Sequence, residues 1–479
     1  MYKDGVLTIS DWQKGIGQSP YVGFGTMQNI DVTHRPGVAI VGNKNTLQYT
    51  QAGLPIAGVF DSVGNLWTGT NSSNGELYRN GTLYTTGVTI PTKDIKVFSD
   101  VLFITRGTSG ASYIDVLGYL SGGPLNYTAA KWTTNLQHGF SGFMLPAVDG
   151  ALYIANGNYV AKIIGVTTTP TVVDATFTYN ALDLPSDEQI TTMAELGNYI
   201  AIAVRPKSYP YSEKPAKIYL WDRVSSSFKI PTAISEKSID AMINVNNRLI
   251  YVCGETGNVY ESDSVSYRLL FNIPNNRRDT STFVVYPNAI NYYDNELMIG
   301  TSNGNDSSPS TYIHGVWKYR QGAITFSPVS TGNYGTNQQL SIGFIALSTL
   351  GSQYVGWGDG TSYGLDLTKI GSLSTVGDAY IESPVVTVGD PLNKKNFDNL
   401  YIYLGKNLKS GDQIKVSYRK SPSDTYTTIK TFTFTESGAK NNLFCTPNIT
   451  DAVMLQFKLE FAQSATTSSA IEIIRMQLI

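Results

Sequence analysis

The chain has 479 residues, more than one hydrophobic core usually supports, so we expect at least two domains. Only 15% of its residues are charged, whereas Tyr (31) and Gly (45) are abundant, which favours strands and tight turns over long solvated helices. A formal net charge of −2 argues against a dedicated nucleic-acid binder, because neutralising phosphates requires an excess of Lys and Arg over Asp and Glu. The N-terminus shows no apolar signal segment, and the chain has no run of about eighteen apolar residues, so we expect cytosolic synthesis without membrane insertion.

The first fifty residues differ from the rest of the sequence. Residues 14–37 are rich in Gly, Ser and Pro and end in Pro36-Gly37, which predicts an extended strap that closes in a turn. A helical turn is predicted at residues 11–15. We therefore assign residues 1–50 to the strap and a first strand.

Residues 51–375 repeat one theme, in which a turn of Asp, Asn or Gly leads into a short apolar strand and a second Gly-rich turn. Seven segments carry it, near Leu66, Leu102, Leu152, Ile200, Leu249, Leu297 and Tyr354. Their successive spacings are about 36, 50, 48, 49, 48 and 57 residues, close to the period of a four-stranded propeller blade. Because a single blade cannot cover its own faces, we predict a closed β-propeller of about seven blades.

Three stretches inside this region do not follow the theme. Residues 129–136 are predicted as a short helix. The loop at residues 205–215 combines Tyr209 and Tyr211 with prolines and charges, which suits a contact surface, although a solvated loop is the alternative. The loop at residues 301–312 is small and polar, and we interpret it as solvated.

From about Val376 the pattern changes to strict alternation. Leu455, Phe457, Leu459 and Phe461 occupy one face of a predicted strand, and the polar residues between them occupy the other. Ile414 and Val416 belong to a second such strand, and Leu400, Ile402 and Leu404 to a third. Residues 376–479 are therefore predicted to form a β-sandwich of six to eight strands, and the whole chain is predicted to be all-β.

Candidate catalytic and metal-binding groups are sparse. His34, His138 and His314 lie in unrelated segments without metal-ligand spacing, and we interpret them as structural. Cys253 and Cys445 are far apart in sequence and are interpreted as buried free thiols. A calcium site at residues 303–306 is less favoured than a polar turn. We assign no catalytic, cofactor or metal residues, and we expect a protein that is not an enzyme.

One segment is superficially similar to the Asp-box of sialidases. Asp61, Gly64 and Trp67 stand in a turn-like run, but Asp61 and Gly64 are three residues apart instead of two, and the motif occurs once. We interpret it as a blade turn. A glycoside hydrolase stays open as an alternative, because a pair of carboxylates assembled by the fold leaves no local signature.

Both ends of the chain resemble virion proteins of tailed bacteriophages. The N-terminal resemblance rests on a motif at Gly15, Ile16, Ser19, Pro20, Gly23 and Phe24, followed by Asn29, Asp31, Pro36 and Gly37. The C-terminal resemblance, to β-sandwich domains of tail and nozzle proteins, rests on Tyr380, Ser383, Gly389 and the pair Lys394-Lys395. The order of strap, propeller and sandwich is similar to that of the short-tail nozzle, or tail tubular protein B, family. This chain is shorter than typical members and lacks their large inserted domains.

The resemblance implies a structural virion protein of the tail that assembles in the bacterial cytoplasm. It implies a homo-oligomeric ring, expected to be a hexamer, below the portal and adaptor proteins, with tail fibres or spikes on its outer face. DNA would pass through the ring transiently and without sequence preference. The strap residues Ser19, Pro20, Phe24, Asn29, Asp31, Pro36 and Gly37 are then candidates for subunit assembly by strand addition, and Tyr209 and Tyr211 for an interface loop. A receptor- or glycan-binding fibre or spike protein is the main alternative.

Overall fold

The computed structural model describes residues 2–3, 6–10, 12, 26–32, 35, 37–85, 89–118, 120–121, 125–137, 141–168, 173–229, 231–254, 256–263, 266–273, 283–303, 314–331, 340–349, 351–373, 379–390, 392–437, 441–464 and 470–479. The chain divides into two compact units. Unit 1 comprises Met1–Asn45, Trp317–Pro328 and Thr368–Ile479, and unit 2 comprises Thr46–Val316 and Val329–Leu367. The predicted boundaries at residues 50 and 375 lie near these divisions, but the sequence did not indicate that residues 1–45 and Trp317–Pro328 join the C-terminal residues.

The described N-terminal residues form short strands: β1 (Tyr2–Lys3), β2 (Val6–Ile9), β3 (Thr26–Gln28), β4 (Ile30–Asp31), β5 (Ala39–Val41) and the longer β6 (Asn43–Thr50).

The next strands form antiparallel four-stranded sheets, which we number as blades. Blade 1 contains β7 (Pro55–Phe60), β8 (Leu66–Thr70), β9 (Leu77–Arg79) and β10 (Thr82–Thr85). Blade 2 contains β11 (Thr92–Phe98), β12 (Val101–Gly107), β13 (Ser112–Gly118) and β14 (Asn126–Trp132). Blade 3 contains β15 (Met144–Pro146), β16 (Leu152–Asn156), β17 (Tyr159–Thr168) and β18 (Val173–Asp183). Blade 4 contains β19 (Glu188–Leu196), β20 (Tyr199–Pro206), β21 (Lys217–Trp221) and β22 (Thr232–Ala233). Blade 5 contains β23 (Ala241–Val245), β24 (Arg248–Val252), β25 (Asn258–Ser262) and β26 (Tyr267–Asn272).

Two further blades follow. Blade 6 begins with the hairpin of β28 (Ile290–Tyr293) and β29 (Glu296–Gly300), beside which β27 (Phe283–Val284) pairs with β30 (Ser302–Asn303). After β31 (Val316–Arg320) and β32 (Ala323–Ser327), blade 7 is built from β33 (Ser341–Leu347), β34 (Gln353–Gly358) and β35 (Tyr363–Leu373), with β6 as its fourth strand.

The first strands of the blades form a closed ring. Contacts run from β7 to β11, β15, β19, β23, β28 and β33, and from β33 back to β7. Each of the seven repeated segments found in the sequence is the second strand of one blade, so the propeller prediction and its count of seven are confirmed within the described residues. The ring is closed by the N-terminal strand, because Gln51 N–H donates to Tyr363 O at 3.0 Å and Thr46 Oγ1 to Leu367 O at 3.0 Å.

A carboxylate holds an aromatic side chain in each of the six four-stranded blades. The pairs are Asp61–Trp67, Asp115–Tyr127, Asp149–Tyr153, Glu188–Tyr219, Glu236–Tyr260 and Asp366–Trp357, at 2.7–2.9 Å. The predicted blade turn at Asp61 is one of them, since its carboxylate also accepts the backbone N–H of Val63 and Asn65. These bonds satisfy polar groups between closely packed sheets, where an unpaired group would be costly.

The predicted helix at residues 129–136 is wrong. Residues 126–132 are strand β14, and the described residues after it form no helix. The backbone N–H of Ala130, which has φ +50°, donates to Asp115 Oδ1 at 2.7 Å. Pairing with the neighbouring strand therefore outweighs the helical propensity of the Ala-Ala-Lys run.

The C-terminal strands belong to unit 1: β36 (Ala379–Glu382), β37 (Val386–Thr387), β38 (Lys395–Phe397), β39 (Leu400–Leu404), β40 (Gln413–Arg419), β41 (Thr427–Thr433), β42 (Asn442–Cys445), β43 (Ile449–Ala452), β44 (Met454–Ala462) and β45 (Glu472–Leu478). A short helix, α1 (Phe434–Ser437), interrupts them. Within the described residues, no helix has the length and apolarity needed to cross a membrane.

Unit 1 is the predicted β-sandwich. One sheet has the order β1-β2-β45-β39-β42, and the other contains β3-β36-β44-β40-β41. The predicted alternation is confirmed, because Leu455, Phe457 and Leu459 are buried and Lys458 between them is partly exposed. Gln456 is the exception: it is buried, and its Nε2 donates to Ser383 O at 2.9 Å.

Candidate functional site

The first strands of the blades surround a cavity of about 560 Å³ in unit 2, which we call the cup. Its wall is formed mainly by the later residues of these strands, so the cup opens toward the turns that join the first and second strand of each blade. Apolar side chains dominate this wall, among them Phe60, Phe143, Leu145, Met193, Ile243 and Leu347. Its size and lining are typical of ligand pockets, which are concave, largely apolar and carry few polar groups.

Three polar residues cross the channel at the floor of the cup, and we call them the bridge. Lys96 Nζ of blade 2 donates to Asn288 Oδ1 of blade 6 at 2.7 Å, and it lies 3.0 Å from Asp94 Oδ1. Asn288 Nδ2 returns a hydrogen bond to Asp94 Oδ1 at 2.9 Å. Blades 2 and 6 are three steps apart in a ring of seven, so the bridge joins nearly opposite sides and obstructs the channel.

The bridge is electrically balanced and firmly held. Asp94 is fully buried, and its carboxylate accepts two further hydrogen bonds, from the backbone N–H groups of Ile95 and Met144, each at 2.8 Å. The Lys96 ammonium lies 5.4 Å from the ring centre of Phe143, within the range of a cation–π interaction. Because the lysine and the aspartate neutralise each other, the cup floor offers an N–H donor without a net charge.

Near its mouth the cup contains one carboxylate, Glu195, among the described lining residues. Its Oε1 accepts the backbone N–H of Val148 at 3.0 Å and lies 2.9 Å from Arg223 Nη2. Glycoside hydrolysis usually requires two carboxylates that flank a bound sugar, one as acid and one as base or nucleophile. Glu195 and Asp94 are instead each engaged in holding neighbouring blades together.

The predicted interface loop is a structured loop between β20 and β21. Tyr209 is half-buried, and the Arg205 guanidinium lies 4.8 Å from its ring centre. Tyr211 is 91% exposed, although the loop beneath it is held by backbone turns, in which Tyr209 N–H donates to Pro206 O and Tyr211 N–H to Ser208 O, each at 3.0 Å. An exposed tyrosine on a fixed loop is compatible with the predicted contact, and the interface itself stays a prediction.

The predicted strap is only partly described. Ser19, Pro20, Phe24 and Pro36 lie outside the described residues. Asn29, with φ +51°, separates β3 from β4, and Asp31 in β4 pairs with Ile40. The described residues 26–31 thus pair inside their own chain, and the role of the strap in subunit assembly stays a prediction. Gly37, the second residue of the predicted Pro36-Gly37 turn, has φ +77°.

The remaining sequence candidates are buried where they are described. His34 and His138 lie outside the described residues, and His314 is buried, which lowers its pKa to about 4. Of residues 303–306, only Asn303 is described, in strand β30. No cluster of three potential metal ligands occurs among the described residues. Cys253 and Cys445 are buried free thiols, as predicted.

Comparison with known proteins adds the following. No protein-family model matches the chain, and no curated protein matches it in sequence. Among solved structures, the extracellular domain of the two-component system protein BT4673 from B. thetaiotaomicron is 13% identical with a TM-score of 0.43; the match covers 77% of this chain but only 45% of that one. The Dos1 propeller is 10% identical with a TM-score of 0.40, and the match covers 67% of this chain and 93% of that one. BamB from Moraxella catarrhalis is 12% identical with a TM-score of 0.38, and the match covers 76% of this chain and 96% of that one.

The ring of sheets therefore defines an all-β protein with a seven-bladed propeller and a sandwich. No sequence pattern indicated the cup and its bridge, because Asp94 and Asn288 are separated by almost two hundred residues and belong to no local motif. Asp94 and Asn288 share one feature that is visible in the sequence: each lies in or beside the first strand of a blade.

Proposed function

We propose that this protein is a structural subunit of a tailed-bacteriophage virion, the nozzle or tail-tube subunit of a short tail. The observation that carries the proposal is that the polar groups in the channel form hydrogen bonds between blades. Asp94, Lys96, Asn288 and Glu195 bond blade to blade, which is what a scaffold needs, instead of converging on an open reaction site. No catalytic role is assigned.

The subunit assembles as a homo-oligomeric ring, a hexamer, below the portal and adaptor and carries fibres or spikes outside. Because the bridge obstructs the propeller's own channel, DNA passes through the lumen between subunits. The formal net charge of −2 suits such a conduit, since tight binding of phosphates would slow DNA passage. The proposed contacts between subunits are those of the predicted strap and interface loop: Ser19, Pro20, Phe24, Asn29, Asp31, Pro36, Gly37, Tyr209 and Tyr211.

Electron microscopy and sedimentation velocity of the purified full chain test the proposal. We expect a sixfold ring whose lumen is wide enough for duplex DNA, and we expect the double variant Pro20→Ala/Phe24→Ser to lose the ring while keeping its circular dichroism spectrum. Leu392→Ser, at a residue 93% exposed outside the strap, is the matched control. A wild-type monomer or trimer that binds glycans would instead favour the receptor-binding alternative.

A further inference from the structure

The bridge places an amine nucleophile beside a side-chain amide. Lys96 Nζ lies 2.7 Å from Asn288 Oδ1. Because Oδ1 is bonded to Cγ at about 1.23 Å, Nζ lies within about 4 Å of that carbonyl carbon. A small movement of the lysine brings the two atoms to about 3–3.5 Å, the separation from which a bond can form. The two side chains are therefore positioned for more than a hydrogen bond.

A carboxylate contacts both of these groups. Asp94 Oδ1 lies 3.0 Å from Lys96 Nζ and accepts Asn288 Nδ2 at 2.9 Å. The backbone N–H groups of Ile95 and Met144 hold the carboxylate in this position. Asp94 can thus take a proton from the amine and deliver a proton to the amide nitrogen, which are the two transfers that aminolysis of an amide requires.

The surroundings fix these side chains and limit their contact with water. Asp94 is fully buried, and the Lys96 side chain is 21% exposed. The ring centre of Phe143 lies 5.4 Å from Nζ. The backbone carbonyl of Asn288 accepts Ile345 N–H of blade 7 at 2.9 Å, which anchors the amide from the opposite side of the channel. Exclusion of water favours attack on the amide by the lysine over hydrolysis.

We propose that Lys96 and Asn288 form an intramolecular isopeptide bond, with Asp94 as the proton carrier. Asp94 takes one proton from the Lys96 ammonium, and the freed lone pair of Nζ forms a bond to Cγ of Asn288 while the carbonyl π electrons move to Oδ1. Asp94 then gives its proton to Nδ2 and accepts a second proton from Nζ. The double bond to Oδ1 re-forms, the Cγ–Nδ2 bond breaks with its electron pair on nitrogen, and ammonia leaves through the cup. The products are an Nζ–Cγ amide, a protonated Asp94 and one molecule of ammonia.

The bond joins blades 2 and 6 across the channel, between residues 192 positions apart in the chain. A covalent link between such distant residues restricts the unfolded chain and thereby stabilises the folded one. The ring then no longer depends only on the hydrogen bonds that close blade 7. This inference does not rest on the proposed role in a phage tail.

Mass spectrometry of the intact, denatured full chain tests the proposal. We expect the wild-type chain to be lighter than its sequence by one molecule of ammonia. Tryptic digestion should release a branched peptide that joins the segments around Lys96 and Asn288. Lys96→Arg and, independently, Asn288→Ala should have the full sequence mass, because each variant lacks one reacting group.

Two further variants serve as control and as a test of the proton carrier. Lys415 also pairs with a carboxylate, that of Glu460 at 2.8 Å, so Lys415→Arg should keep the wild-type mass deficit. Asp94→Asn retains the shape of the side chain but cannot carry the protons. In a time course after cell-free synthesis, its deficit should appear about a hundredfold more slowly than that of wild type. Circular dichroism checks that each variant is folded.

The same measurements contain the results that overturn the proposal. A folded wild-type chain that keeps its full sequence mass after prolonged incubation would show that the bridge stays non-covalent. A deficit that persists in Lys96→Arg would place the loss of ammonia elsewhere, such as in a succinimide at an Asn-Gly pair. An equal rate in folded Asp94→Asn and wild type would refute the role of Asp94.

Discussion

Replacing the fully buried Arg106 tests how neighbouring blades are held together. Arg106 and Asp115 form a salt bridge inside blade 2, and both side chains are fully buried. Arg106 Nη1 also donates to Gly75 O of the blade 1 region at 2.6 Å, and Asp115 accepts the Tyr127 hydroxyl at 2.8 Å. The guanidinium thus ties two adjacent blades together.

We expect Arg106→Met to lower the free energy of unfolding by about 3–5 kcal/mol, because it leaves the Asp115 carboxylate buried without its countercharge. That is a change of roughly two to four decades in the ratio of folded to unfolded protein. The double variant Arg106→Met/Asp115→Asn removes both charges and keeps an acceptor oxygen beside the Tyr127 hydroxyl, so its loss should be smaller than that of Arg106→Met alone.

Urea unfolding followed by tryptophan fluorescence measures these differences. Lys214→Ala is the control, since Lys214 pairs with Asp187 in water and its loss should not shift the urea midpoint measurably. If Arg106→Met unfolds at the same urea concentration as wild type, the guanidinium does not couple blades 1 and 2 as described. If the double variant is less stable than the single one, uncompensated charge is not the cause of the loss.

Three further predictions concern other contacts. Burial, together with the hydrogen bond to Glu236, raises the pKa of Tyr260 to about 12, above its value of about 10 in an unfolded chain. The protonated Tyr260 hydroxyl therefore stabilises the folded protein below pH 10, and this contribution is lost as the pH rises through 12. Urea midpoints should fall over this range by less in Tyr260→Phe than in wild type. A Cβ at Gly58 would lie 2.2 Å from Phe344, so Gly58→Ala should cost about 1–3 kcal/mol in thermal unfolding, whereas Gly110→Ala, with nothing within 4 Å, should not. Cys253 and Cys445 are buried, so a thiol reagent should label both only after denaturant is added, and rapid labelling of native protein would contradict their burial.

Local patterns in the sequence account for much of the fold. The turn-strand-turn theme located the second strand of every blade, because these strands are flanked by tight turns and are almost fully buried, as Val101–Gly107 illustrates. Alternation located β44 and β39, since each has one buried face. Such features depend on neighbours in the chain and are therefore visible without the structure.

Features that depend on distant partners were not visible. Residues 129–136 are predicted as a helix from local preference alone. Residues 126–132 instead form strand β14, because pairing with β13 and the bond from Ala130 to Asp115 outweigh that preference. Gln456 looked like a solvent-facing residue, and its burial is explained by partners distant in the chain: its Nε2 donates to Ser383 O, seventy-three positions away, and its Oε1 accepts from Arg419 Nε. The bridge between Asp94 and Asn288 likewise requires the ring to close before the two side chains can meet.

The closure of blade 7 by residues near the N-terminus affects the order of events on the ribosome. Thr46–Thr50 cannot find their partners until Tyr363–Leu367 have been made, about 310 residues later. At elongation rates of about 5–20 residues per second, this interval lasts roughly 15–60 s. Throughout it the nascent propeller is an open arc with two unsealed ends, a state that invites strand exchange between chains translated from the same message.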